Sequence, residues 1–586
     1  MGHMKHPGSK AGTKPKISNM SVTLKRIGRY LLKRKGKLAL TMTMVTLSSA
    51  LALAGPFLTG LAIDDYITSG DAQGLFWLLA GLALVYMGYS LVTFLQNYWM
   101  ADIAQKTVYE LRDDLFRHFH KLPISFFDKR RHGELMSRVT NDIDNISSTL
   151  NSSIIQVASG LLTLIGSIVV MLYLSPLLTV VTLLIIPLMF GGMKWITNRT
   201  GPRFKEQQRH LGDLNGFIEE AISSRHIVKM FSREDEMIDE FMEKNERLRE
   251  AGYLAQAYSG FIPKLMNLLN NAGFAVIALA GGILALNGHA TVGTIVIFTE
   301  YARQFTRPLN DLANQYNTML SAVAGAERVF DIMDTDEAVD GKEGRQHKLS
   351  GHVVFEDVSF SYEKGKETLS NMSFEASIGE TIALIGPTGS GKTTIMNLLA
   401  RFYEPDGGAI LFDSVDSSEI AGSVLRGQMG FVLQDTVLFE ETVMENIRYG
   451  RLDATDEEVI EAARKANAHS FIMRMPDGYA SKLSQDGSGI SQGQRQLLSI
   501  ARAILADPVV LILDEATSSI DTITELHIQD ALGRLMEGRT SFVIAHRLNT
   551  IQRADQVIKL QNGSIEAIGS YEEVVLDSYT TGHKSS

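Results

Sequence analysis

The chain contains no cysteine. Structural disulfides, thiolate metal sites and cysteine nucleophiles are thereby excluded. An excess of positive charge is also missing: 56 Lys and Arg stand against 66 Asp and Glu, a net charge of −10. Domains that bind nucleic acid are normally basic, so no nucleic-acid partner is expected. No cleavable signal pattern is present. The first apolar run is too long and lacks a small-residue cleavage site, so it reads as a retained span. Long apolar runs are absent after about residue 310, where short apolar strands alternate with amphipathic helices as in a soluble α/β domain.

The earlier half is different. Met1-Gly2-His3-Met4 looks like a cloning remnant, and the polar stretch up to residue 20 reads as disordered. Ser21 to Lys37 places Leu24, Ile27, Leu31 and Leu32 on one helical face. Around them lie Lys25, Arg26, Arg29, Lys33, Arg34, Lys35 and Lys37, a basic amphipathic helix suited to a membrane surface. Six spans of the ~20 residues a crossing helix needs are expected. They run about 38–63, 75–99, 155–174, 177–196, 269–286 and 292–312. Lys and Arg set the orientation. The Lys-rich N-terminus is expected inside, and the connection Asp64 to Gly74, with no Lys or Arg, outside.

The two long charged connections, Ala101 to Asn151 and Arg199 to Tyr258, are expected to project inward as helices. Each contains a helix break, one at Leu122 to Asp128 and one near Ser223 to Phe231. Two readings stand for these tips: contact surfaces for the second half, or solvated helical hairpins. Glu300 and Arg303 lie within the sixth span, three residues apart, as an ion pair or as ligand contacts.

In the second half, Gly386-Pro387-Thr388-Gly389-Ser390-Gly391-Lys392-Thr393 fits G-x-x-x-x-G-K-[ST]. An apolar strand, Thr381 to Ile385, precedes it, and a helical stretch beginning at Thr394 follows. Such a loop aims backbone N–H groups at phosphate oxygens, aided by the helix N-terminus. Lys392 is placed to reach the β- and γ-phosphates and Thr393 to hold Mg²⁺. Thr394 completes the contact set. A second apolar strand, Val509 to Leu513, ends in Asp514-Glu515, an acidic pair suited to Mg²⁺ and to an attacking water. Gln434 follows the strand Met429 to Leu433, and His546 follows Thr540 to Ala545. The resulting division is 1–20 disordered, 21–330 transmembrane domain, 331–350 linker and 351–586 nucleotide-binding domain.

Over nearly its whole length the chain resembles the ATP-binding cassette exporters, in their type IV fold. The resemblance implies an all-α six-span transmembrane domain fused to an α/β P-loop nucleotide-binding domain. It makes Tyr362 the adenine-stacking aromatic, Gln434 the Q-loop residue, Asp514 the Walker B aspartate, Glu515 the catalytic base and His546 the switch histidine. Ser519-Ile520-Asp521 resembles the D-loop, and Ile490-Ser491-Gln492-Gly493-Gln494 the signature L-S-G-G-Q. Ser491, Gly493 and Gln494 would then contact ATP held by a second subunit. The two helix breaks match coupling helices. The cofactors implied are ATP and Mg²⁺.

Gln492 replaces the first signature glycine, and Gln485 stands where the family usually has Glu just upstream. With these departures the chain resembles the D-type subunit of heterodimeric bacterial multidrug exporters of the EfrCD and LmrCD kind. That implies a multi-pass plasma-membrane protein with its N-terminus and nucleotide domain in the cytoplasm. Its partners would be a second half-transporter, the lipid bilayer and hydrophobic small molecules. Lipid or peptide cargo and a homodimer are the alternative readings.

Overall fold

The computed structural model describes residues 20–338, 347–363, 365–434, 436–484, 489–514, 521–545 and 547–576, some helical side chains excepted. Two compact units emerge: residues 1–120 with 133–335, and residues 121–132 with 336–586.

The first unit is helical. Its elements are α1 (Met20–Leu32), α2 (Lys35–Leu61) and α3 (Ala72–Phe119). The short α4 (Ile124–Asp128) belongs to the second unit. Then come α5 (His132–Ser137), α6 (Ile143–Leu174), α7 (Pro176–Ser223), α8 (Arg225–Met230), α9 (Glu234–Leu286) and α10 (Val292–Met333). The expected spans fall on α2, α3, α6, α7, α9 and α10. Among the described residues, four helical stretches are long and apolar enough to cross a membrane, and Pro176–Ile185 adds a shorter apolar one.

Turn chemistry fixes the helix starts. The Ser175 hydroxyl accepts from the N–H of Leu178 at 3.4 Å, and Pro176 begins the helix with a preset φ. Thr291 caps α10 through the N–H of Thr294 at 3.1 Å. Inside the bundle, Met171, Leu178, Ile277, Phe298, Tyr301 and Phe305 form one buried cluster. The Tyr301 hydroxyl donates to the carbonyl of Leu53 at 2.7 Å, satisfying a polar group buried among helices. Arg303 meets Glu300 at 3.3 Å, the ion-pair geometry expected from their spacing.

The structure differs from the sequence reading at both ends of this unit. The basic helix expected to reach Lys37 stops at Leu32, and the chain turns at Lys33-Arg34 before α2 begins. Thr23 and Leu31 are buried, whereas Leu32 is 60% exposed and does not share the inner face. Several of the cations are paired within the unit rather than left to the membrane surface. Arg34 pairs with Glu110 at 2.6 Å, Lys33 with Glu110 at 3.1 Å, Lys37 with Asp102 at 2.6 Å and Arg26 with Asp334 at 2.5 Å. Burial and the Asp114 carboxylate push the Tyr30 phenol up to about 12. At the other end, α10 continues to Met333, so Asp331 is helical rather than part of a linker. The residues expected to be disordered before Met20, and 339–346, lie outside the described residues.

The second unit has two sheets. The strands are β1 (Val353–Phe360), β2 (Leu369–Ala376), β3 (Thr381–Ile385), β4 (Gly407–Phe412), β5 (Val415–Asp416), β6 (Met429–Val432), β7 (Val510–Asp514), β8 (Thr540–Ile544), β9 (Gln556–Gln561) and β10 (Ser564–Gly569). One sheet is antiparallel, ordered β2-β1-β4-β5; the other is ordered β10-β9-β3-β8-β7-β6. In the second, β3, β6, β7, β8 and β9 run parallel. Its helices are α11 (Lys392–Leu399), α12 (Gly422–Arg426), α13 (Val443–Arg448), α14 (Asp456–Lys465), α15 (His469–Ile472), α16 (Gln492–Ala506), α17 (Thr522–Met536) and α18 (Leu548–Arg553).

Central strands of a parallel sheet are covered on both faces and therefore carry continuous apolar runs. Accordingly Ile382, Leu384, Ile512, Phe542 and Ile544 face one core with β1, β2, β4 and α11. Leu511, Leu513 and Val543 face the other, with α13, α14, α16 and α17.

Candidate nucleotide site

β3 lies between β8 and β9, and the glycine loop leaves its C-terminal end. Two glycines are fixed by geometry. Gly386 has φ +148°, and a Cβ there would stand 2.3 Å from the carbonyl oxygen of Leu560 on β9. Gly391 has φ +106°, and a Cβ would meet Leu369 Cδ2 at 2.4 Å. Backbone blocks a side chain at Gly386, and the positive φ strains one at both places, so glycine lets the backbone curl tightly into α11. Pro387, Thr388 and Gly389 form the exposed crown of the loop, and Thr393 is exposed at the start of α11. Thr394 is buried, turned into the core.

Lys392 is buried, and its Nζ donates to the carbonyls of Gly386 at 2.8 Å and Pro387 at 2.9 Å. Burial pushes its pKa down, and the charge of Asp514 at the end of β7 opposes that shift. The buried Ser390 hydroxyl has no hydrogen-bond partner among the described residues. An orphaned hydroxyl inside a glycine loop, beside an ammonium, is what an oxyanion would satisfy.

Tyr362 follows β1. Its ring meets Phe360 and Tyr403 edge-on, with centroids 4.9 and 5.0 Å away, and its hydroxyl accepts from the Asn397 amide at 3.1 Å. Sequence reasoning missed Asn397 and Tyr403, because both contacts join residues far apart in the chain. Tyr403 also donates to Asp128 of α4 at 2.5 Å, and burial with that carboxylate raises its phenol pKa. The helix break expected at 122–128 thus sits in the second unit, with Phe126 buried. α8 at the other break leaves Ile227 and Met230 exposed.

Ser491 caps α16. Its hydroxyl accepts from the N–H of Gln494 at 3.3 Å, while the Gln494 side chain accepts from the N–H of Ser491 at 2.9 Å. This reciprocal capping box fixes both side chains through their acceptor oxygens and leaves the Ser491 O–H and the Gln494 amide N–H groups as donors. Gly493 is buried, and Gln492, partly exposed, opens the helix. Gln434 is exposed just past β6. Asp514 and Gln496 line a cavity of about 60 Å³ with Gln529 and Asn549. Glu515, His546, Ser519, Ile520 and Gln485 lie outside the described residues.

Residues 38–309 match the family model of the ABC transporter transmembrane region, and residues 369–518 that of the ABC transporter. The chain is 58% identical over 567 residues to the Bacillus subtilis uncharacterized ABC transporter ATP-binding protein YfiC, covering 96% of this chain and 94% of that one. The chain belongs to the ABC transporter family. It is also 43% identical over 497 residues to a Mycobacterium tuberculosis fatty acid ABC transporter ATP-binding/permease protein, covering 85% and 79% of the two chains. Identity to the ATP-dependent lipid A-core flippase of Syntrophus aciditrophicus is 35% over 546 residues, covering 92% and 90%. Among solved structures it is similar to a bacterial Atm1-family ABC exporter with ATP bound, at TM-score 0.75 and 28% identity, covering 95% and 99%. The protein is therefore a membrane-embedded exporter, with a helical transmembrane domain fused to an ABC domain that binds ATP and couples its hydrolysis to transport.

Proposed function

We propose that the chain is one half of a heterodimeric exporter that moves amphipathic drugs or similar xenobiotics across the bacterial plasma membrane. The observation that carries the nucleotide part is the loop itself: Lys392 held by the carbonyls of Gly386 and Pro387, in the same loop as the unpartnered Ser390 hydroxyl. In this reading residues 386–394 bind the phosphates and Tyr362 the adenine. The oxygens of Thr393, Asp514 and Gln434 form a hard donor set suited to Mg²⁺. Glu515 orients the attacking water, and His546 reads the γ-phosphate. Bound Mg²⁺ would supply charge neutralisation at the phosphates. The Lys-rich N-terminus and the nucleotide domain lie on the cytoplasmic side.

The cargo class is supported by relatives named for hydrophobic molecules, including a putative multidrug export protein of B. subtilis at 34% identity. Names such as fatty acid transporter and lipid A-core flippase favour a second reading, lipid cargo. The heterodimer rests on Gln492. Cassettes of this kind pair head to tail, so Ser491, Gly493 and Gln494 would face ATP bound by the partner. A side chain at position 492 hinders the close backbone approach that glycine allows. The partner's ATP should then be hydrolysed slowly, and ATP held by this chain at full rate. The test is ATPase activity of the chain purified alone and with candidate partner subunits, with a drug panel, in wild type and Gln492→Gly. Activity that appears only with a partner supports the reading. A drug-stimulated homodimer at full rate contradicts it.

A further inference from the structure

No Asp or Glu precedes Asp64 in the chain, so the cations of α1 and of the start of α2 can be neutralised only from elsewhere. The structure divides them in two. Arg26, Lys33, Arg34 and Lys37 are ion-paired with Asp334, Glu110 and Asp102. Lys25, Arg29 and Lys35 are exposed and have no ion-pair partner among the described residues. Val22, Lys25, Arg29 and Leu32 follow one another at i, i+3, i+7 and i+10, which is one face of a helix. Val22 and Leu32 on that face are 55% and 60% exposed. Lys35 opens α2, whose Leu40 and Leu47 are exposed in turn along an apolar span.

We propose that this stripe is a binding surface for anionic phospholipid headgroups. Cations with no carboxylate beside them, interleaved with exposed apolar side chains and continuous with a span, complement a negatively charged membrane surface. The paired cations fasten the helix, and the unpaired ones remain for a ligand.

The test uses the full chain in nanodiscs of phosphatidylcholine mixed with phosphatidylglycerol, followed by native mass spectrometry of the lipids retained. The wild type should retain phosphatidylglycerol above its share of the mixture. The triple variant Lys25→Gln, Arg29→Gln, Lys35→Gln should lose about fivefold in apparent association per side chain, ~100-fold together. The charge-preserving variant Lys25→Arg, Arg29→Lys, Lys35→Arg should retain the lipid, which separates charge from folding. Equal retention of the two lipids by the wild type, or unchanged enrichment in the triple Gln variant, would overturn the proposal. So would an acidic protein bound at this stripe that phosphatidylglycerol does not displace.

Discussion

Replacing Lys392 by Ala tests the loop where its energetics are most lopsided. The ammonium is buried and pays for it: its pKa lies below the ordinary 10.5, with burial the main cause and Asp514 opposing. A depressed lysine pKa means that the charged form costs stability below the folded pKa, a cost that fades as pH rises towards 10.5. Deleting the amine at neutral pH removes that cost together with two contacts to the carbonyls of Gly386 and Pro387. The Pro387 end of the loop is exposed and can turn to water. Stability without nucleotide should therefore change little, by about 1 kcal/mol or less. Nucleotide affinity should not be spared. Each hydrogen bond from a charged donor contributes ~1.5–3 kcal/mol, and every 1.4 kcal/mol is tenfold, so ATP binding should weaken ~10- to 150-fold. The assay is equilibrium titration of the full chain with a fluorescent ATP analogue, beside thermal denaturation without nucleotide. Unchanged affinity would refute the phosphate role of Lys392. Lost affinity with a collapsed melting transition would show that the residue acts through folding.

Further expectations concern other named contacts. Gly386→Ala should abolish nucleotide binding at least as completely, since its Cβ would lie 2.3 Å from the Leu560 carbonyl; titration with the same analogue checks this. The Asp142 carboxylate is buried and accepts from Arg328 Nε and Arg138, each at 3.0 Å, so Asp142→Ala should destabilise the helical unit by ~3 kcal/mol. Thermal denaturation in detergent measures this, and an unshifted transition would remove the cluster from the fold's support. Tyr403→Phe removes the contact to Asp128 and should speed hydrogen exchange in residues 121–132 about 2- to 10-fold, with exchange in β3 unchanged.

Local pattern made much of this molecule legible. The strand Thr381–Ile385 is legible in its apolar run, because a central parallel strand carries one. Helices α2, α3, α6 and α9 are legible in length and hydropathy, which the bilayer dictates, and the start of α7 in a shorter apolar run. Illegible features are those in which a residue answers to a distant partner. Nothing around Lys33-Arg34 announces that Glu110 draws the cations inward and that the helix breaks there. The break around Pro123 leaves two readings open in the sequence, and only the fold, which groups α4 with residues 336–586 and brings Tyr403 to Asp128, decides between them. The capping box of Ser491 and Gln494 is written locally, in a Ser and a Gln three residues apart at a helix start.

The central claim is that hydrolysis at this loop drives a hydrophobic compound across a membrane. Its most direct test is dye accumulation in inside-out proteoliposomes holding the chain and its partner subunit, wild type against Glu515→Gln, with ATP hydrolysis followed in the same vesicles. The account predicts ATP-dependent accumulation in the wild type. In the variant both hydrolysis and accumulation should fall, by ~10²–10⁴-fold for hydrolysis, with ATP still bound. Accumulation that continues at the wild-type rate in Glu515→Gln would contradict it.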